Sequence, residues 1–175
     1  MACRHNVWMG TSDLERLTRI VAERAAALGL YARQWVDAAT AEDVLQEALT
    51  ALLCEQSSPA NPIAWMYRAV RNAAIDAGRA AARRRWRERA VAAERREWFD
   101  SRADALVDAQ IAEQALKQLS VEHREIVVLR IWGQLGFAEI AEVMQIGVST
   151  AHDRYGSALK QLRVALEKSC KNKTD

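Results

Sequence analysis

Three carboxylates, Glu42, Asp43 and Glu47, come closest in this sequence to the spacing of a catalytic or metal-binding site. Asp43 and Glu47 are four positions apart, so on a helix they would stand one turn apart on the same face. Acid-base catalysis or metal binding needs further groups, but no histidine, second carboxylate pair or nucleophile motif lies nearby. Helix capping or contact with another protein is therefore favoured. We expect no catalytic residue, no metal site, no cofactor and no enzyme activity.

A second kind of chemistry, phosphate binding, is indicated by the segment from Arg68 to Arg96. It holds ten arginines and no lysine against three acids, a surplus of seven positive charges. Cations placed beside a nucleic-acid backbone release its condensed counterions and so add salt-dependent affinity. Charge runs are often merely solvated helices and linkers, and that alternative stays open.

A third possible function, recognition of DNA bases, is indicated near the C-terminus by helix-turn-helix spacing. A short apolar helix over 137–144 precedes a tight turn at 145–147 and a longer helix with polar first residues. In a helix-turn-helix, residues at the start of the second helix reach base edges in the major groove. Spacing alone also fits an ordinary helical hairpin. The candidate base-reading residues are Ser149, Thr150, His152 and Asp153.

The composition indicates an all-α protein with a folded core. Half of the 175 residues are hydrophobic, while only seven Gly and two Pro are present. Cys3, Cys54 and Cys170 show neither CxxC nor Cys/His spacing, so we expect no disulfide framework and no zinc site, and a reducing cytoplasm fits best. No apolar run approaches the roughly 18 residues that span a bilayer, so no membrane association is expected.

Local signals place the helices that carry these residues. Ser12 and Glu15 form a capping-box pattern before a long helix, or two helices bent near Gly29. Thr40 is the predicted N-cap of a second helix, and Asn61-Pro62 predicts the start of a third, with proline at its first position.

These elements predict two small helical domains joined by a linker, the second of them a helix-turn-helix. The chain between about 80 and 104 is rich in Ala, Arg and Glu with weak apolar periodicity, which is typical of a linker that can start as a helix without packing on a core. In chain order we expect a flexible N-terminus over 1–11, a first domain over 12–82, a linker over 83–104, a second domain over 105–168 and a flexible tail over 169–175.

Three segments together resemble the sigma factors of the extracytoplasmic-function group. AEDVLQEALTALL (41–53) and NPIAWMYRAVRNAAIDAGR (61–79) are similar to region 2 of that family. LSVEHREIVVLRIWGQLGFAEIAEVMQIGVSTAHDRYGSALKQLR (119–163) is similar to region 4. Both regions occur in the family's order, and the resemblance covers roughly residues 12–168.

The resemblance implies an alternative sigma factor that binds core RNA polymerase and directs promoter-specific initiation. Region 2 would dock on the clamp helices of the β′ subunit and open the −10 element, while region 4 would read the −35 element and contact the β flap. An anti-sigma factor is a further implied partner.

The resemblance also implies a role for individual positions. The implied polymerase-binding residues are Asp43, Gln46 and Glu47. The implied −10 DNA-binding residues are Asn61, Trp65, Arg68, Arg71, Asn72, Asp76 and Arg79. The implied −35 DNA-binding residues are Ser149, Thr150, His152, Asp153, Arg154 and Lys160.

The chain departs from the family pattern at several positions. Gly78 stands where leucine is usual, and Gly136 and Gly147 replace hydroxyl caps. Gln145 occupies a turn position that is normally glycine, so we expect a strained positive φ there. Asp153 and Gly156 stand where basic residues are frequent, so the −35 contact is expected to be weak or unusual in its preference. Asp153 can accept a hydrogen bond from a cytosine amino group.

Two other functions remain to be separated from the sigma-factor interpretation. A plain helix-turn-helix regulator would bind duplex DNA without polymerase and would need no first domain of this kind. A pseudo-sigma factor or antagonist would bind polymerase or another partner without recognising a promoter.

Overall fold

The computed structural model describes residues 11–55, 57, 59–88 and 106–171, and these form seven α-helices and no strand. The prediction of an all-α fold is confirmed. Residues 1–96 and 97–175 form two compact units. The helices are α1 (Thr11–Ala32), α2 (Ala38–Leu53), α3 (Pro62–Glu88), α4 (Leu106–Gln118), α5 (Val121–Ile131), α6 (Phe137–Met144) and α7 (Val148–Lys171).

Parts of the segments that we expected to lie outside the two domains are helical. α1 begins at Thr11, α3 continues through residues 83–88 of the expected linker, and α7 runs to Lys171. The rest of the expected N-terminal segment and tail, and residues 89–104 of the linker, lie outside the described residues. Gly29 lies within α1, which the structure assigns as one continuous helix.

The start of α2 differs from the prediction, whereas the start of α3 confirms it. Asp37, not Thr40, caps α2, and the Thr40 backbone N–H donates to Asp37 Oδ1 over 2.8 Å. Both residue types can cap a helix, and starting at Asp37 adds a further turn. Asn61 Oδ1 accepts from the Ala64 N–H at 3.1 Å, and Pro62 is the first residue of α3.

The core of the first unit lies between α1, α2 and α3 and is built around two tyrosines. Tyr31 and Tyr67 are both fully buried, and their rings meet edge to face with centroids 5.4 Å apart. The Tyr31 ring makes a second such contact with Trp35 at 5.2 Å. Among the described residues the Tyr67 hydroxyl has no hydrogen-bond partner, and burial raises its pKa to about 12.

Gly78 allows α3 to approach the turn between α1 and α2 closely. A Cβ atom at this position would lie 2.9 Å from the carbonyl oxygen of Trp35. That distance is too short for a carbon against a backbone oxygen, so any larger residue would push the two segments apart. This contact gives a packing reason for glycine at a position where the family usually has leucine.

The second unit packs α4, α5 and α6 against α7. Its core is mostly apolar and includes residues from each helix and from the loop after α5, together with the buried carboxylate residue Glu125. Ser120 caps α5, accepting from the His123 backbone N–H at 3.3 Å. The largest fully buried apolar side chains are Leu116, Ile126, Val127, Leu129, Leu135 and Ile140.

The turn between α6 and α7 has the conformation expected of a helix-turn-helix. Only residues 145–147 separate the helices, and Gln145 adopts a left-handed conformation with φ 56° and ψ 46°. The Ile146 N–H closes the turn by donating to the Ala141 carbonyl at 3.0 Å. The predicted positive φ at Gln145 is therefore confirmed, and it is uncommon for a residue other than glycine.

The structure corrects one expectation about the cysteines. Cys54 is disulfide-bonded, whereas the spacing of the three cysteines had suggested no disulfide framework. Spacing along the chain does not report which cysteines the fold brings together, because pairing depends on distance in space. Among the described residues, no helix has the length and apolar character needed to cross a membrane.

Candidate functional site

One half of the candidate site is the exposed start of α7. Ser149, Thr150, His152 and Asp153 are all exposed in its first turns, while Ala151 between them is fully buried against the unit. The structure therefore brings the four predicted base-reading residues together on the outer side of the second helix of a helix-turn-helix. Such a helix start is the part that enters the major groove in proteins of this architecture.

A row of residues continues this surface along α7. With 3.6 residues per turn, Asp153, Gly156 and Lys160 project within about 40° of the direction of Ser149. Asp153 and Lys160 are exposed, and a Cβ at Gly156 would meet nothing within 4 Å. We call Ser149, Asp153, Gly156 and Lys160 the α7 row. It carries one acid, Asp153, and one base, Lys160. The row therefore has no net positive charge to attract a phosphate backbone.

Arg154 does not belong to the α7 row. It projects about 140° away from Ser149, and its guanidinium Nη1 lies 3.2 Å from Glu122 Oε2 on α5. Its side chain is 24% exposed, against 67% for Glu122. The structure thus separates Arg154 from the other predicted −35 residues and engages it in a contact inside its own unit.

Aromatic contacts hold the start of α7 in place. The ring of Phe137, the first residue of α6, lies edge to face with His152 at 5.1 Å and with Tyr155 at 5.7 Å. The guanidinium of Arg130 lies 5.0 Å from the centre of the Phe137 ring and donates to the Leu135 carbonyl at 2.7 Å. These contacts orient the His152 ring, which is one of the predicted base-reading groups.

The other half of the candidate site is one face of α3. Helical geometry places five of the predicted residues within about 60° of one direction, opposite the buried Tyr67, Val70 and Ala74. We call this set the α3 stripe. It consists of Trp65, Arg68, Asn72, Asp76 and Arg79.

Exposure increases along the α3 stripe. Trp65 and Arg68 are half-buried, whereas Asn72, Asp76 and Arg79 are exposed. Asp76 and Arg79 form an ion pair of 3.8 Å with both side chains largely in water, so this pair adds little to stability. The stripe therefore offers an aromatic side chain, an amide and cationic groups along one line, which suits contacts to bases and phosphates.

Two predicted residues near α3 lie off this stripe. Arg71 projects about 120° from Trp65 and is half-buried. Asn61 uses its side-chain oxygen to cap α3. The structure assigns Asn61 a local role in forming the helix on which the stripe lies.

The predicted polymerase-binding residues share the outer face of α2. Asp43, Gln46 and Glu47 are exposed, and Val44 and Ala48 on the other side are buried. Glu42 is exposed beside them. Within the described part of the chain, no group of His, Cys, Asp and Glu residues is placed to hold a metal ion. The geometry of this acidic face suits contact with a basic protein surface.

Sequence reasoning missed Trp86, which extends the line of the α3 stripe beyond Arg79. Trp86 is 86% exposed. The sequence pattern placed Arg83 on the polar face of this helix, but the chain after residue 82 was interpreted as a linker and Trp86 was not considered as part of that face. The signal was present, because Arg83 and Trp86 follow Arg79 at steps of four and three.

Comparison with protein families identifies both units. A family model described as Sigma-70 region 2 matches residues 21–87, and one described as Sigma-70, region 4 matches residues 109–162. The ECF RNA polymerase sigma factor SigL of Mycobacterium tuberculosis, from strains that include H37Rv and CDC 1551, is 31% identical to this chain over 156 residues. That alignment covers 83% of this chain and 85% of SigL.

Two solved structures share the fold. The sigma factor RpoE of Bartonella quintana, solved with the anti-sigma factor NepR, matches with a TM-score of 0.72 and 21% identity over 87% of this chain and 98% of that one. CnrH, solved with the cytosolic domain of CnrY, matches with a TM-score of 0.61 and 24% identity over 89% of this chain and 90% of that one.

Both sigma regions are matched in the same order along the chain, and the similarity to SigL extends over most of both proteins. The chain is therefore a member of the extracytoplasmic-function group of RNA polymerase sigma factors, an alternative sigma factor that directs promoter-specific transcription initiation.

Proposed function

We propose that this sigma factor divides initiation among three surfaces: the acidic face of α2 binds core polymerase, the α3 stripe opens the −10 element, and the α7 row reads the −35 element. The observation that carries this proposal is the α3 stripe, which aligns Trp65 with Asn72 and Arg79 on one face of a single helix. A regulator that only binds duplex DNA has no use for such a face.

The acidic face of α2 is proposed to dock on the β′ clamp helices. Asp43, Gln46 and Glu47 stand at positions that are neighbours on the helix surface, and all three are exposed. Charged surfaces of this kind speed the encounter with an oppositely charged partner and fix its orientation more than they add affinity. The second unit is proposed to contact the β flap while it holds the −35 element.

The α3 stripe is proposed to capture bases that leave the duplex. Unpairing costs a few kcal/mol per base, so an opened base must gain contacts that repay this cost. Stacking on Trp65 and hydrogen bonds to Asn72 are suitable contacts, and Arg68 and Arg79 supply cations for the backbone. Arg71, which lies off the stripe, is proposed to contact the backbone alone.

In this account the chain performs no covalent chemistry, and binding free energy alone opens the promoter. It acts where polymerase and DNA are, in the cytoplasm. The proposed domains are residues 12–82 for polymerase binding and melting and 105–168 for −35 reading, with 83–104 between them. RpoE and CnrH were solved with NepR and CnrY. By analogy we propose that an anti-sigma partner restrains this chain.

Reconstitution with core polymerase and a library of random promoters tests the proposal. We expect the transcribed promoters selected by the holoenzyme to share two conserved sequence elements, one near −10 and one near −35. Absence of core binding would contradict the proposal, and duplex binding without polymerase would favour a plain regulator. Core binding without specific transcripts would favour a pseudo-sigma factor.

A variant of the acidic face of α2 tests whether this face binds core polymerase. The triple variant Asp43→Lys, Gln46→Ala and Glu47→Lys changes only exposed residues, so we expect it to fold. It should lose core binding and transcription together, while its own affinity for duplex DNA is kept.

A further inference from the structure

The C-terminal end of α3 displays a tryptophan that the fold does not use. Trp86 is 86% exposed, the largest exposure among the large hydrophobic residues that the structure describes as exposed. Tryptophan is usually well buried, and when it lies at a surface it is enriched in binding sites. The indole of Trp86 therefore requires an explanation outside the core.

The surroundings of Trp86 are cationic. Between Asp76 and Glu88 the sequence has five arginines and no acid. Arg83 and Arg87 are exposed and line a shallow surface depression together with Trp86 and Ala82. The Arg87 Nε donates to the Arg83 carbonyl over 3.4 Å, which draws Arg87 back along the helix beside the indole.

Trp86 also continues the line of the α3 stripe. Arg83, Trp86 and Arg87 project within about 60° of the direction of Trp65. Trp86 lies seven residues beyond Arg79, which is about 10 Å along the helix axis at 1.5 Å per residue. A DNA strand advances about 3.4 Å per nucleotide in a duplex, so this distance corresponds to about three nucleotides.

We propose that Trp86 is a stacking platform for an unpaired base of single-stranded DNA, with Arg83 and Arg87 binding the adjacent phosphates. This inference rests on the proposed function, because promoter opening is what supplies a single strand near the α3 stripe. The flat face of an indole can stack on any base, and guanidinium groups bind phosphate oxygens through paired hydrogen bonds.

The charge pattern favours DNA over other partners. A protein groove that received Trp86 would require further apolar residues around it, but its neighbours in the depression are arginines and one alanine. An amphipathic helix that binds a membrane surface requires a row of large apolar residues, whereas residues 79–88 at this end of α3 include a single large apolar residue, Trp86. A duplex keeps its base faces stacked on each other, so only an unpaired base can use the indole.

Equilibrium binding to a fluorescein-labelled oligothymidylate of about 12 nucleotides tests the proposal. The full-length protein, free and as holoenzyme with core polymerase, is compared with Trp86→Leu and Trp86→Phe. We expect Trp86→Leu to weaken binding about 5-fold or more, since stacking on an aromatic side chain contributes about 1–3 kcal/mol per base. Trp86→Phe should keep most of the affinity, because it retains an aromatic face.

Three comparisons keep the test specific. Affinity for a duplex of the same length should be the same for wild type and Trp86→Leu. The thermal unfolding midpoint should also be unchanged, because Trp86 makes no core contact. Arg83→Ala should weaken binding to both single strand and duplex, and should reduce the salt slope on the single strand by about 0.7.

The following results would overturn the proposal: no oligothymidylate binding by wild type, unchanged binding by Trp86→Leu, an equal loss on duplex and single strand, or stronger binding to oligouridylate than to oligothymidylate.

Core binding and promoter transcription are measured on the same samples. If core binding and promoter transcription are observed but Trp86→Leu binds oligothymidylate as well as wild type, the stacking proposal is wrong and the proposed function stands. If they fail while Trp86→Leu still loses single-strand affinity, the proposed function is wrong and the platform stands.

Discussion

Arg154 on α7 pairs with Glu122 on α5, and the Arg154 Nη1 and Glu122 Oε2 atoms are 3.2 Å apart. This contact joins two helices of the second unit and turns Arg154 away from the α7 row. Lys160, six residues further along α7, remains exposed on the row itself. Two basic residues of one helix thus have different surroundings, and they should respond differently to substitution.

The first prediction compares Arg154→Ala with Lys160→Ala in duplex DNA binding. Lys160→Ala should reduce the slope of log affinity against log salt by about 0.9, the value for losing one phosphate contact. Arg154→Ala should leave that slope unchanged and lower the free energy of unfolding by about 0.2–1 kcal/mol. Fluorescence anisotropy at several salt concentrations and urea unfolding measure the two effects. A reduced slope in Arg154→Ala would show that Arg154 contacts phosphate.

The second prediction concerns Asp153, the acid of the α7 row. Asp153→Arg should strengthen nonspecific duplex binding and steepen its salt dependence by about one unit of slope, because a cation replaces an anion on the face that meets DNA. Glu167→Arg, a similar exchange near the other end of α7, serves as the control for added charge. An unchanged slope in Asp153→Arg would place this residue away from the phosphates.

The third prediction tests the close approach at Gly78. Gly78→Ala would place a Cβ 2.9 Å from the Trp35 carbonyl oxygen, so we expect a loss of about 1–3 kcal/mol in the free energy of unfolding. Gly156→Ala is the matched control, because nothing lies within 4 Å of its Cβ position. That exchange should increase stability by about 0.5–1 kcal/mol through helix propensity alone. Stabilisation by both variants would contradict the packing explanation.

The fourth prediction is a loss of stability at high pH that depends on Tyr67. Burial raises the pKa of its hydroxyl from 10.0 to about 12 in the folded protein. The folded state therefore holds the proton more tightly than the unfolded state. The stability from this group is fully present below pH 10 and is lost as the pH rises through 12, by about 2–3 kcal/mol in total.

Tyr67→Phe provides the comparison for this titration. It removes the ionising group and also a buried hydroxyl that has no hydrogen-bond partner, so stability at neutral pH should be kept or raised. The difference in unfolding free energy between wild type and Tyr67→Phe should change between pH 10 and 12. A difference that stays constant over this range would contradict the buried position of the hydroxyl.

The sequence predicted those features that depend on neighbouring residues. Asn61 and Pro62 predicted the start of α3 because a cap and its helix are a few residues apart. The resemblance to the sigma-factor family predicted a positive φ at Gln145, because that turn position is normally glycine. The cap of α2 was assigned wrongly, since Asp37 and Thr40 are both good caps and only the path of the chain chooses between them.

Features that depend on distance in space could not be predicted in this way. Glu122 and Arg154 are 32 positions apart, and no periodicity indicates their contact. The close approach of Gly78 to Trp35 also depends on distance in space. The same is true of the disulfide at Cys54. Trp86 was missed for another reason: the weak apolar pattern after residue 80 led us to interpret this part of α3 as the start of a linker, although the helix continues to Glu88.

Permanganate reactivity of thymines in a promoter bound by the holoenzyme tests most directly whether the α3 stripe opens the −10 element. Permanganate oxidises unpaired thymines, so it reports opening of the −10 element directly. We predict reactive thymines there with the wild-type protein and a strong loss with the double variant Asn72→Ala and Arg79→Ala, while binding to core polymerase is unchanged. Equal reactivity with this variant would contradict the assignment of promoter opening to the α3 stripe.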